Sequence, residues 1–162
     1  MADGGVDTTF AGNDGLKFGL GFRANDFARL PDGTLALAGD SSQTAGTYTA
    51  GAASGAGQQL WVRGLGTGAG AAFFGLAVQP DGRLVAAGHT TSANAEARVD
   101  RLLPDGGRDV SFGEAGTAFV ERAGPGNAFD VRLFAAAVQA DGRILAAGTR
   151  TNAGAVVYRL WP

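Results

Sequence analysis

The sequence predicts an all-β chain built from three copies of one four-stranded unit. Three observations carry that prediction. "AVQPDGRLVAAG" at 77–88 returns almost unchanged as "AVQADGRILAAG" at 137–148, with a looser copy, "ARLPDGTLALAG", at 28–39. Glycine accounts for 28 of 162 residues without a strict three-residue period, and 45% of residues are hydrophobic, which suits many tight turns around a core. No segment shows convincing helical periodicity.

Each copy opens with a hairpin. Asp32-Gly33, Asp81-Gly82 and Asp141-Gly142 each lie between apolar runs of period-two character. Asp caps such a turn with its own carboxylate and the following Gly takes positive φ, so these six residues are expected as structural turns. Gly39, Gly88 and Gly148 are expected to end the second strand. A third strand follows in "EARVDRLLP" (96–104) and "GAVVYRLWP" (154–162). Next comes a linking element, "DGGRDVSFGEAGTAFV" at 105–120, with a second copy, "DGGVDTTFAGNDGLKF", at 3–18. In the middle of the chain this link is degraded to "TYTAGAASGAGQQLWV". "LWVRGLGTG" (60–68) and "AFVERAGPG" (118–126) supply a fourth strand. Hairpin repeats fall at about 16–44, 60–92 and 118–150 of a single repeat domain, 1–162, with junction segments between them and shared across the termini.

Four short strands in a unit of ~50 to 60 residues are the signature of a β-propeller blade. The run "AVQPDGRLVAAG" followed by "ARVDRLLPDGGRDVSFGEAG" resembles the delta-60 repeat family of bacterial proteins, over nearly the whole chain except 45–58. The resemblance implies a propeller-like fold, an extracellular or cell-surface setting, and a family largely without an assigned activity. Placing "RLWP" before "ADGGVDTTF" recreates "RLLPDGGRDVSF" with one residue to spare, so the termini share one repeat junction. Three units fall short of the ~4 blades a propeller needs, and they leave two open sheet faces. The expectation is a homo-oligomer, a C2 dimer completing a six-bladed ring. The alternative is a β-trefoil, which closes as a monomer; "QLW" at 59–61 is similar to a motif of trefoil lectins.

Composition excludes several functions. Thirteen basic against fifteen acidic side chains give no cluster for nucleic acid, and the absence of cysteine removes thiolate chemistry and disulfides. No apolar stretch reaches the ~18 residues of a membrane span, and "MADGGVDTTF" lacks the features of a signal peptide. His89 is the sole histidine, which argues against a hydrolytic triad and forbids a three-histidine metal site within one chain. Asp7, Asn13 and Asp14 in "DTTFAGND" offer oxygen ligands but no calcium loop ending in glutamate, so no metal is expected. No cofactor is expected either: "GLGTGAG" at 64–70 opens no helix. Asp7 and Asp109 read as local backbone partners, Phe10 and Phe112 as core aromatics, and Asp26 and Asp130 as loop residues. Trp161, equivalent to Leu103, is expected in the core or at an interface.

The copies diverge just after the shared glycine, as Asp40-Ser41, His89-Thr90 and Thr149-Arg150. Equivalent positions of a ring point the same way, so Asp40, His89 and Arg150 are expected to line a small polar ligand site on one rim. The expected function is a non-enzymatic propeller scaffold or binding module of a bacterial surface or secreted protein, with a protein or glycan ligand. The alternative is a propeller-type glycoside hydrolase or lyase, or a lectin-like glycan binder.

Overall fold

The computed structural model describes residues 9–10, 20–41, 46–91, 96–122 and 131–162. Eleven strands are described: β1 (Phe22–Arg29), β2 (Leu35–Ser41), β3 (Thr47–Ala53), β4 (Gln59–Thr67), β5 (Ala72–Val78), β6 (Leu84–His89), β7 (Glu96–Leu102), β8 (Thr117–Arg122), β9 (Val131–Val138), β10 (Ile144–Arg150) and β11 (Gly154–Leu160). They form three antiparallel sheets: β1-β2-β3-β4, β5-β6-β7-β8 and β9-β10-β11. The chain is all-β and its sheets are consistent with propeller blades. The expected four-stranded unit is seen twice, and the third sheet has three strands among the described residues.

The three hairpins turn as the sequence requires. Gly33, Gly82 and Gly142 take φ of 89°, 84° and 83°. The carboxylates of Asp32, Asp81 and Asp141 each accept the backbone N–H two residues on, at 2.8, 3.0 and 3.1 Å.

Successive sheets pack face to face. Leu84 and Ala86 of β6 join Ala36, Ala38 and Tyr48 of the first sheet, while Val85 and Ala87 join Leu133, Ile144 and Ala146 of the third. All six residues of β6 are buried, which is why this strand reads as a continuous apolar run. Each sheet thus has a leading face (Ala36 and Ala38; Val85 and Ala87; Leu145 and Ala147) and a trailing face (Leu35 and Leu37; Leu84 and Ala86; Ile144 and Ala146). Within the chain, leading packs on trailing twice. The trailing face of the first sheet and the leading face of the third stay open: Phe27, opposite Leu37, and Val157, opposite Ala147, are each 67% exposed.

Gly39, Gly88 and Gly148 do not end their strands, which run on to Ser41, His89 and Arg150. Each instead faces a β-bulge in the first strand of its sheet, where Asn25, Phe74 and Phe134 are the extra residues. A Cβ on these glycines would lie 1.8, 2.2 and 1.8 Å from the carbonyl oxygens of Arg23, Ala72 and Arg132. The bulge presses backbone against backbone, so only glycine fits.

Several polar residues lie elsewhere than expected. Asp26 is a strand residue, and its Oδ2 accepts Leu76 N–H at 2.8 Å, tying β1 to β5. Asp109 does accept local backbone, from Ser111 N at 3.1 Å, but it is also an ionic hub: Arg83 Nε and Arg101 Nε each donate to its Oδ2 at 2.8 Å. Phe112 is buried as expected and Phe10 is half-buried. Trp161 is 74% exposed, with the Arg143 guanidinium 4.5 Å from its ring, so it is no core residue of the single chain. Asp7, Asn13, Asp14 and Asp130 lie outside the described residues.

One buried charge cluster pins the first two sheets together. Asp100 is fully buried on β7 and accepts Arg98 at 2.8 Å and Arg108 at 3.0 Å; both arginines also donate to the Leu65 carbonyl of β4. At the equivalent seam of the third sheet, Val156 and Tyr158 replace Arg98 and Asp100. Burial pushes the Asp100 carboxyl up to about 6, against the opposing pull of Arg98 and Arg108.

Two outcomes follow from this packing. Gly88→Ala destabilises by about 3 kcal/mol, because its methyl overlaps a backbone carbonyl, whereas Gly64→Ala stays within about 0.5 kcal/mol; the Gly64 Cβ would meet only Thr47 Cγ2, at 3.4 Å. Urea titrations measure both. A carboxyl raised in the folded state favours folding when protonated, and that contribution fades as pH rises towards and past about 6. The stability of the native chain relative to Asp100→Asn therefore declines as pH rises from about 4 to about 7, and an unchanging difference across that range contradicts the assignment.

Candidate functional site

The bulges shape one end of the sheets. In a bulge the extra residue leaves the ladder and its side chain is re-aimed. At Asn25 the amide reaches the second sheet, where Nδ2 donates to the Phe73 carbonyl at 2.8 Å. Phe74, the next bulge residue, stacks on His89 with ring centres 4.6 Å apart. Phe134, the third, meets both rings edge-on, at 5.8 Å from Phe74 and 5.4 Å from His89.

Between the first and second sheets a pocket of about 300 Å³ opens, lined by Arg23, Asn25, Asp40, Ala72 and Phe74 together with neighbouring backbone. Arg23 and Asp40 are direct cross-strand partners, and the guanidinium donates to Asp40 Oδ2 through both Nε, at 3.2 Å, and NH2, at 2.5 Å. Asp40 is buried while the Arg23 side chain is largely exposed. The paired charges cancel, and Asp40 holds the Arg23 guanidinium above its ordinary pKa.

The three residues expected to converge do not share this pocket. Asp40 lines it. His89 lies behind Phe74, buried, with Nδ1 donating to the Leu133 carbonyl at 3.2 Å. Arg150 pairs with Glu121 of β8 at 2.8 Å, in the seam between the second and third sheets. Strand pairing gives the reason. Asp40 faces Arg23, His89 faces Ala72 and Thr149 faces Arg132, so the true equivalent of Asp40 is Thr149, and Arg150 points to the opposite face of its sheet. Asp40 and His89 themselves point into different seams. Arg23, Asn25 and Phe74 were missed because all three lie on the first strand of a unit, outside the repeated twelve residues. Counting across the ladder from Asp40 finds Arg23 only once the bulge is included.

The chemistry available is limited. The pocket holds a neutralised ion pair, an amide and an aromatic ring, with no hydroxyl or thiol nucleophile among its side chains. Among the described residues no group of three or more His, Asp or Glu could hold a metal ion.

Comparison with known proteins gives the same architecture. No curated protein matches the chain. A family model described as "Domain of unknown function (DUF5122) beta-propeller" matches residues 79–112 and 139–162. The first stretch covers the hairpin turn, β6, β7 and the link containing Asp109; the second covers the corresponding turn, β10 and β11. The second and third sheets are thus similar to the repeats of a β-propeller family of unknown function.

Proposed function

We propose that this propeller domain is a non-catalytic binding module that holds an uncharged sugar residue of a glycan in the pocket between its first two sheets. The observation that carries the reading is the Arg23–Asp40 pair, which offers fixed donors and an acceptor but little net charge. A sugar ring presents hydroxyls around its edge and C–H groups on its faces. Arg23, Asp40 and the free Oδ1 side of Asn25 suit the hydroxyls, and Phe74 suits an apolar face. At about 300 Å³ the pocket stands at the small end of ligand sites, enough for one ring of a longer chain. Phe74 is itself held by His89 and Phe134, so the apolar wall is pre-organised.

The test is binding of a panel of neutral and uronic-acid oligosaccharides, read by saturation-transfer NMR and titration calorimetry. Neutral sugars bind, and Asp40→Ala and Phe74→Ala each weaken binding about tenfold or more while leaving the fold intact. A panel in which nothing binds, or only uronates bind, overturns the reading.

A further inference from the structure

The sequence carries two complete copies of an Asp-x-Ser/Thr-Phe link: Asp109 to Phe112 and Asp7 to Phe10. The structure shows what the first copy does. The Asp109 carboxylate sits between Arg83 of the hairpin turn and Arg101 of β7, and the Phe112 ring lies 4.6 Å from the Arg101 guanidinium. The Ser111 hydroxyl adds a 2.6 Å bond, and together with the Ser111 N–H and Arg101 it holds Asp109 down at about 2. The second sheet therefore has a two-arginine socket filled by its own link.

The third sheet repeats the socket. Arg143 is the counterpart of Arg83 and binds its own turn aspartate, Asp141, in the same way. Arg159 is the counterpart of Arg101: each faces the matching residue of the neighbouring strand, Leu145 and Val85. Arg143, Arg159, Leu160 and Trp161 line a hollow of about 130 Å³, and Arg159 has no acidic partner among the described residues. In the first sheet the two positions are Thr34 and Ala52, and there β3 joins β4 through a short turn, Ser54 to Gln58, without any Asp-x-Ser/Thr-Phe. Arginines and aspartate are present together or absent together.

We infer that the Arg143–Arg159 socket receives Asp7 and Phe10 from a second copy of this chain. The second copy is favoured over the chain's own link by the open faces. Asp7 and Phe10 precede β1 in the sequence, so a socket that takes them from a second copy lies beside that copy's first sheet, whose trailing face is open. In the single chain the two open faces, with Phe27 and Val157, do not meet. A second copy supplies the trailing face that covers Leu145, Ala147 and Val157, and the exchange is reciprocal. Two socket junctions and two face-to-face seams then close six sheets about a two-fold axis.

Charge reversal with solution mass by light scattering tests this. The native chain has the mass of two chains. Asp7→Arg and Arg159→Asp each fall to one chain with unchanged circular dichroism, whereas Arg63→Asp, an exposed change away from the socket, stays at two. Mixing the two variants in equal amounts restores the two-chain mass, because one junction then keeps the native pair and the other carries the reversed pair. A native monomer, single variants that remain dimeric, a dimer lost equally on Arg63→Asp, or a mixture that stays monomeric each overturns the inference. Closure within one chain is the case in which mixing restores nothing.

Discussion

A backbone carbonyl pressed against a glycine fixes each unit of this chain. In all three sheets the first strand bulges by one residue opposite the motif glycine, and the carbonyl comes within the space of a missing Cβ. Close approach brings the first two strands together at one end and turns the bulged side chain out of the ladder. Asn25, Phe74 and Phe134 owe their positions to it, and so does the pocket beside Asp40. Structure and candidate site therefore rest on one local constraint, copied three times.

Between sheets the dominant residue is alanine. Ala36, Ala38, Ala50, Ala86, Ala87 and Ala146 are all fully buried or nearly so, and their small side chains let neighbouring sheets approach closely. Alanine contributes little buried surface, at about 0.8 kcal/mol for a single carbon. The few large side chains, among them Tyr48, Phe73, Leu84, Leu133 and Ile144, carry a disproportionate share of the apolar stabilisation. The middle sheet is covered on both faces and each outer sheet on only one. As in other repeat proteins, stability is then set by the seams between neighbours. The two seams differ in kind: the first is pinned by Arg98, Asp100 and Arg108, whereas the second is mainly apolar, crossed by the buried His89–Leu133 bond and the Arg150–Glu121 pair.

Turns and strands were legible in the sequence because their signals are local. Asp-Gly at each hairpin needs only its own carboxylate and a positive φ, and both are met at 32–33, 81–82 and 141–142. The bulge was not legible. A single extra residue leaves the apolar alternation of "FGLAV" or "LFAAAV" looking regular, and only pairing with the next strand reveals the shift. That one hidden residue explains why the motif glycine reads as a strand end. The error at Arg150 has a different origin. In a period-two structure, a one-residue offset moves a side chain to the opposite face, so Thr149, and not Arg150, matches Asp40. Asp26 reads as a loop residue because an aspartate is rare in a strand; here it is retained by a backbone donor on β5.

Differences between repeats prove more informative in sets than singly. Taken alone, Thr34 in place of Arg83 looks like drift on an exposed turn, and Ala52 in place of Arg101 looks like ordinary packing. Taken with the missing aspartate between β3 and β4, they are one event. A buried carboxylate without arginines pays a desolvation cost that nothing offsets, whereas Arg143 keeps its turn partner Asp141 and Arg159 is exposed in the single chain. The carboxylate is therefore the half that is costly to keep alone, and the first sheet has lost it together with both arginines. The third sheet keeps both arginines, which is the expected state of a repeat whose carboxylate is supplied from elsewhere.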